Sequence, residues 1–388
     1  MMTVESFQIR VPDEVLDDLK YRLNHVRWPE PLGSTGWEHG TDLSYLQSLV
    51  TYWQEQYDWR EQEAKLNRFS QFRSNVDGVD VHFIHERGKG PSPMPIILTH
   101  GWPDSYLRYQ KIIPLLTDPA RYGGDPEDAF DVIVPSLPGF GFSSCPDYRG
   151  INNSRVSEVW AKLMTEELGY RKFAAAGGDI GSGVTRYLAS NHPELLFGIH
   201  LTDIGIIKSL MNPNDQAELS EEELHYKRSA QEWISREGGY MTLQSTKPQT
   251  LAYGLSDSPV GLAGWIIEKF HAWSDCKGDL RNSFSEDELL TNIMIYWVTN
   301  TFGSTAHIYY ENTHSLPPLG RIEVPTGIAI LPADVLTPPK VWAMRNLNIT
   351  RWTSLPRGGH FTAMEEPELM AEDIRAFYRP FRTRMEKE

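Results

Sequence analysis

Cysteine is almost missing from this chain: Cys145 and Cys276 are the only two among 388 residues. Two cysteines cannot make a disulfide framework, and no Cys/His spacing resembles a zinc site. No cofactor or metal is implied, and a reduced, cytoplasmic setting is the expectation. Positive charge is also short. Lys plus Arg number 37 against 52 Asp plus Glu, a formal net charge of −15. That balance favours solubility and argues against a nucleic-acid or anionic-membrane partner. No apolar run approaches the roughly 18 residues that span a bilayer. The N-terminus, MMTVESFQIRVPDEVLDDLK, lacks the basic start and apolar run of a signal peptide. No segment is repeated or compositionally biased.

What is present is a globular composition, 40% hydrophobic and 23% charged. The length exceeds that of a usual single domain, so a large core with an accessory region is expected. Roughly the first seventy residues read as helical. Pro12 suits a first helical position, Asp13 and Glu14 come next, and Lys20 and Arg22 lie near the far end. Val15, Leu16, Leu19, Leu23 and Val26 form an apolar stripe. Thr41 is placed to cap a second helix that buries Leu43, Leu46, Leu49, Val50 and Trp53. These apolar residues are few for an independent domain, so the region should pack on the rest of the chain.

The period then changes. Segments 71–76 and 79–87 flank Asp77-Gly78, a dipeptide suited to a two-residue hairpin turn. Short apolar runs come after it at Ile96–Thr99, Phe130–Pro135, Phe173–Ala176, Leu196–Leu201, Thr326–Leu331 and Thr350–Leu355. Helical patterns lie between most of them, at 104–117, 154–169 and 180–191. Such alternation predicts an α/β fold, a mostly parallel sheet covered on both faces. Residues from about 204 to 320 break it, with amphipathic helical segments and no convincing strand. An all-helical insertion there is placed to form a lid over the strands' C-terminal ends, where ligands of such sheets bind. The expected divisions are 1–90, an extension and first hairpin; 91–203, the first part of the core; 204–320, the lid; and 321–388, the rest of the core.

The most informative stretch is Gly177-Gly178-Asp179-Ile180-Gly181 between a strand and a helix. It has the G-x-nucleophile-x-G pattern of a strained strand-to-helix turn, with Asp where many hydrolases carry Ser. An aspartate capping the next helix fits the same residues. His100-Gly101-Trp102-Pro103, directly after a strand, is where such a fold supplies an oxyanion-stabilising N–H, here that of Trp102. The N–H of Ile180 would be the second. Arg357-Gly358-Gly359-His360-Phe361 comes after the last strand and supplies a candidate base, His360. Asp334 lies beyond the strand at 326–331 and would orient that histidine, although it also fits a helix cap before 338–346. The chain order Asp179, Asp334, His360 is nucleophile, acid, base.

A carboxylate is ionised at neutral pH and attacks without a base. It displaces at saturated carbon, which points to epoxides or alkyl halides. A departing halide needs N–H donors, whereas an opening epoxide also needs an acid, a task for tyrosine. Tyr240, Tyr253, Tyr296, Tyr309 and Tyr310 are candidates, and spacing does not choose among them. Trp233, Trp265, Trp273 and Trp297 suggest an apolar pocket within the lid, though tryptophans also pack cores.

Together these segments resemble the microsomal-type epoxide hydrolases, α/β-hydrolases with an N-terminal extension. The likeness runs through Phe7-x-Ile-x-Val-Pro-Asp with Arg27-Trp28-Pro29, His100–Pro103, Gly177–Gly181, Thr246-Lys-Pro-Gln-Thr250, Asp257-Ser-Pro-Val-Gly261, Glu268-Lys-Phe270 and Gly359-His-Phe361. The resemblance implies Asp179 as nucleophile, His360 as base and Asp334 as its acid partner, where mammalian relatives carry Glu. It selects Tyr240 and Tyr309 as ring-opening tyrosines. It also implies a small apolar epoxide and water as reactants, and an extension wrapped across core and lid; the oligomeric state, a homodimer included, is left open. Ile180 stands where Trp is common, His307 where Arg is common, and the membrane-anchoring helix of mammalian relatives is absent. A haloalkane dehalogenase is the nearest rival, weakened because Ile180 offers no side-chain donor for halide. A ligand-binding protein on the same scaffold is another.

Overall fold

A computed structural model describes residues 4–30, 33, 36–146, 149–204 and 219–385. Nine strands form one sheet in the order β1-β2-β3-β5-β4-β6-β7-β8-β9. β1 (Glu5–Phe7), β2 (Gln71–Val76) and β3 (Val79–Glu86) are antiparallel neighbours, and β3 pairs antiparallel with β5 (Phe130–Pro135). β5, β4 (Met94–Thr99), β6 (Phe173–Gly177), β7 (Leu196–Leu201), β8 (Ile322–Ile330) and β9 (Leu347–Ser354) are parallel. β4, β5 and β6 are buried at every residue, as strands covered on both faces must be. Strand order reverses around β4, which opens a crevice at the C-terminal ends of β4 and β6.

The Asp77-Gly78 hairpin forms as expected. Both residues have positive φ, 51° and 82°, the handedness a two-residue turn between twisted strands requires. β4 and β8 start earlier than the apolar runs suggested, because each extends back through a proline. Pro325 sits at a register shift between β8 and β9, where a missing N–H disturbs no regular ladder. β9 likewise starts at Leu347, directly after a helix over Lys340–Asn346.

In the N-terminal extension, α1 (Asp13–Asn24) begins one residue after Pro12. α2 (Leu43–Glu55) buries Leu49, Val50 and Trp53, and its cap is Asp42, which accepts from Tyr45 N at 2.8 Å. Thr41 is therefore not the cap. Its hydroxyl is used elsewhere, donating to the Gly264 carbonyl at 2.6 Å. α3 (Trp59–Leu66) is capped by Asp58, which accepts from Arg60 N at 2.8 Å. The extension is held at both ends of its span. β1 joins the sheet, while Arg22 pairs with Asp257, Tyr52 donates to Asp287, and Trp37 stacks on His271 at 3.8 Å.

The expected helix over 104–117 is instead two pieces, a 3₁₀ turn at Tyr106–Tyr109 and α4 (Ile112–Thr117). Asp104 is drawn out of any helix because its side chain accepts the Gly101 N–H at 2.9 Å. The 154–169 pattern forms α5 (Asn153–Lys162), which widens to a π turn over Leu163–Glu167.

Between β7 and β8 the described residues form helices from Glu221 to His314. Two carry reciprocal capping boxes, Ser220 with Glu223 and Ser285 with Glu288. Residues 205–218, part of the expected lid, lie outside the described residues. Among the described residues no helix is long and apolar enough to cross a membrane.

Candidate active site

Thr99 of β4 is in register with Gly177 of β6, so the segments leaving the two strands begin side by side. Asp179 ends the turn before α6 (Ile180–Asn191) with φ 55° and ψ −127°. A non-glycine residue held there stores about 1–3 kcal/mol of strain. The flanking glycines contribute room. A Cβ on Gly181 would collide with the Thr99 carbonyl, and one on Gly101 would collide with the Asp179 carboxylate.

The Asp179 side chain makes no capping bond to α6. Its Oδ1 accepts the Trp102 N–H at 2.9 Å, across the crevice from β4. Ile180 opens α6, so its N–H is among the first-turn donors that lack a partner within the helix.

The chain after β9 brings in His360. Its Nδ1 lies 2.8 Å from Asp334 Oδ1, and its Nε2 lies 3.5 Å from Asp179 Oδ2 without making a hydrogen bond. Asp334 does not cap the helix at 340–346, where Pro339 holds that position. A bridge between Ala333 and Gly359 sets it beside the histidine instead. Burial disfavours a charged ring, but Asp334 and Asp179 outweigh burial and raise His360 to about 10.

Of the five tyrosine candidates, two face Asp179. Tyr240 stacks on Trp102 at 5.1 Å between ring centroids, and Tyr309 meets Trp102 edge-on at 5.8 Å. Burial pushes both phenols well above their ordinary pKa, and the negative charge of Asp179 adds to it, so both stay protonated donors. Tyr253 is 71% exposed, Tyr296 donates to the Asp104 carbonyl, and Tyr310 stacks on His314. Trp233 and Trp273 line the cavity between these residues, which encloses about 250 Å³. Trp265 binds Gln244 and Trp297 lies against Arg22, so those two tryptophans pack the structure.

Several residues at the site were not singled out from the sequence. Arg108 is buried, pairs with Asp104, and donates to the His360 carbonyl. The Glu365 carboxylate accepts the N–H groups of Asp275, Phe361 and Gly359 at 2.7, 2.9 and 3.1 Å. Burial raises Glu365 to about 7 even though these donors and His360 pull it down. Lys269 lies over the Tyr240 ring at 4.8 Å. The Asp/Arg spacing of four after His100-Gly-Trp-Pro was the available signal for the first pair, but that spacing usually marks an exposed helix face.

Residues 4–109 match the family model described as epoxide hydrolase N terminus, and residues 94–238 match the alpha/beta hydrolase fold. Epoxide hydrolase 1 of Sus scrofa is 36% identical over 402 residues, covering 97% of this chain and 88% of that protein. The structure of Aspergillus niger epoxide hydrolase is 29% identical, with a TM-score of 0.85 over 98% of this chain and 97% of that one. Juvenile hormone epoxide hydrolase from the silkworm Bombyx mori is 27% identical, with a TM-score of 0.84 over 99% and 95%. Likeness at this level runs through nearly the whole chain, and so the chain belongs to the epoxide hydrolase family, as an enzyme with the α/β-hydrolase fold.

Proposed function

We propose that the enzyme converts an apolar epoxide to a vicinal diol through an ester formed on Asp179. The observation that carries this reading is the division of labour between the two carboxylate oxygens. Oδ1 is held by the Trp102 N–H at 2.9 Å, and Oδ2 is left facing the cavity and His360. Oδ2 attacks an epoxide carbon, the carbon–oxygen bond of the ring breaks, and Tyr240 or Tyr309 gives a proton to the released oxygen. Oδ1 becomes the ester carbonyl oxygen. Water then attacks the ester carbon, and the tetrahedral oxyanion faces the N–H groups of Trp102 and Ile180.

The charge on His360 sets the order of the steps. With Asp179 and Asp334 both ionised the ring is a cation, which cannot act as a base. Alkylation removes the charge of Asp179, and with it part of what raises the ring's pKa. His360 releases its proton, which restores the tyrosine, and the neutral ring can take one from water. Collapse of the intermediate breaks the ester carbon–oxygen bond, the departing diol oxygen takes the proton of the hydroxyl that water left on Asp179, and the Asp179 carboxylate and the imidazolium are regenerated together.

The test is the intact mass of a His360→Gln variant after exposure to styrene oxide and, separately, to bromobutane. A gain of one whole epoxide mass, mapped to Asp179, supports the aspartyl ester and the base assignment. A bare butyl gain beside an inert epoxide points to dehalogenation. No adduct while wild type still makes diol rejects the covalent route.

A further inference from the structure

Ile180, Gly183 and Arg186 of α6 line the same cavity as Asp179. They are three residues apart and share one face of the helix, so the cavity runs along α6 away from the nucleophile turn. At 1.5 Å per residue, the Arg186 backbone lies about 9 Å along the axis from Ile180. The walls between are largely apolar, with Trp233, Met241 and Leu316 among them. Arg186 is the cation at the far end. It is largely buried, and its Nε is shut off from solvent and so from any ligand in the cavity, which leaves the Nη groups as the donors that can reach one. A ligand oxygen accepting from an Nη group would make a charge-assisted hydrogen bond. Space continues past it, because a second cavity shares Asn153, Arg186 and Leu316 with the first.

Charge decides what kind of oxygen fits. Asp179, Asp203 and Asp334 line the cavity with Arg186 and His360. Among the described residues three carboxylates against two cations leave an excess of negative charge, and Asp203 acts electrostatically on Arg186. A free carboxylate on the ligand would meet that excess. A neutral carbonyl would accept from the guanidinium without adding charge.

Resting on the epoxide-opening reading above, we propose that Arg186 forms a distal subsite for a neutral carbonyl oxygen. The preferred substrates are then elongated epoxides carrying an ester, ketone or amide at the end remote from the ring. Such a group would also fix which end of the molecule enters first, and hence which epoxide carbon meets Asp179.

Three probes of similar length separate the possibilities: the methyl ester of terminal epoxyundecanoic acid, the free acid, and epoxydodecane. Diol formation is followed for each with wild type and with Arg186→Leu. Wild type should favour the ester over the alkane by about tenfold or more in kcat/KM, the usual size of a hydrogen bond to a charged group. The free acid should rank below the ester. Arg186→Leu should bring the ester-to-alkane ratio close to one. The wild-type ranking is read independently, should the variant fold poorly. Equal rates for ester and alkane in wild type, or a ratio unchanged in a folded variant, would overturn the subsite while diol formation upheld the hydrolase. Preference for the free acid would overturn the neutral-carbonyl assignment. No diol from any probe would reject the epoxide-opening reading and the subsite with it.

Discussion

Arg108 donates from Nη2 to the carbonyl oxygen of His360, across 252 residues of chain. The same guanidinium pairs with Asp104, whose other oxygen accepts the Gly101 N–H at 2.9 Å. One buried ion pair therefore ties the segment carrying Trp102 to the segment carrying His360. Burial opposes ionisation of Asp104, but Arg108 and His100 together outweigh it and hold the carboxyl at about 2. Arg108→Met would leave that carboxylate buried without its cation, at a cost of about 3–5 kcal/mol. The urea midpoint should fall accordingly, and adding Asp104→Leu should recover much of the loss. Equal midpoints for wild type and Arg108→Met would show that the pair does not hold the two segments.

The His360 charge leads to a pH dependence of stability. Its folded value, about 10, lies above the ordinary value of about 6.5. A group raised on folding stabilises fully below its unfolded pKa and loses that contribution as pH rises through the folded one. Wild type should therefore lose stability between about pH 6.5 and 10 through this residue. His360→Gln should show a shallower fall over the same window. Denaturant titrations at several pH values check it, and parallel profiles would show that the imidazolium is not held by the two aspartates.

Glu365 predicts an effect on turnover. As a carboxylate it accepts three N–H groups, two of them on either side of His360 and one from Asp275, just past the helix over Pro259–Trp273. Acidification through about 7 protonates it and weakens it as an acceptor. Diol formation should fall on the acid side with an inflection near that value, and Glu365→Gln should lack the inflection. Its effect on stability has the opposite sense. The folded pKa is raised, so protonation favours the folded state, and that contribution is present below about 4.3 and lost as pH rises through about 7. An unchanged pH–rate profile in the variant would remove Glu365 from the account.

The residues legible in the sequence were those whose signal is local. Asp179 announced itself through glycines two positions away on either side of a strand-to-helix turn, and His360 through its place after the last strand. Asp77-Gly78 fixed its hairpin by the backbone freedom of two residues. Thr41 misled because Thr and Asp are both good caps and stand side by side at 41 and 42. Which one caps depends on Gly264, far off in the sequence. Arg108, Glu365 and Arg186 were silent for the same reason. Each is an ordinary charged residue until the fold buries it against a partner or a cavity distant in sequence. Tyr240 and Tyr309 stood between these cases, since periodicity could not separate them from Tyr253, Tyr296 and Tyr310. Family likeness selected them, and the structure sets their rings around Trp102.

Those two tyrosines give the sharpest kinetic contrast with His360. If they donate to the ring oxygen, they act before the ester exists; His360, as the base proposed for the hydrolysis, acts after it. Tyr240→Phe and Tyr309→Phe should each slow turnover, and the double variant should lose roughly 100- to 10,000-fold, the span usual for general acid catalysis. Neither the single variants nor the double one should accumulate the Asp179 ester, because its formation is the step impaired. His360→Gln should accumulate it. Tyr253→Phe, at a position 71% exposed, should behave as wild type. The measurement is single-turnover quench with mass analysis of the protein. Ester build-up in the double tyrosine variant would assign these phenols to the hydrolytic half of the cycle, and full activity would remove them from the chemistry. With the ring proton coming from elsewhere, the burial that keeps both phenols protonated would then be packing alone.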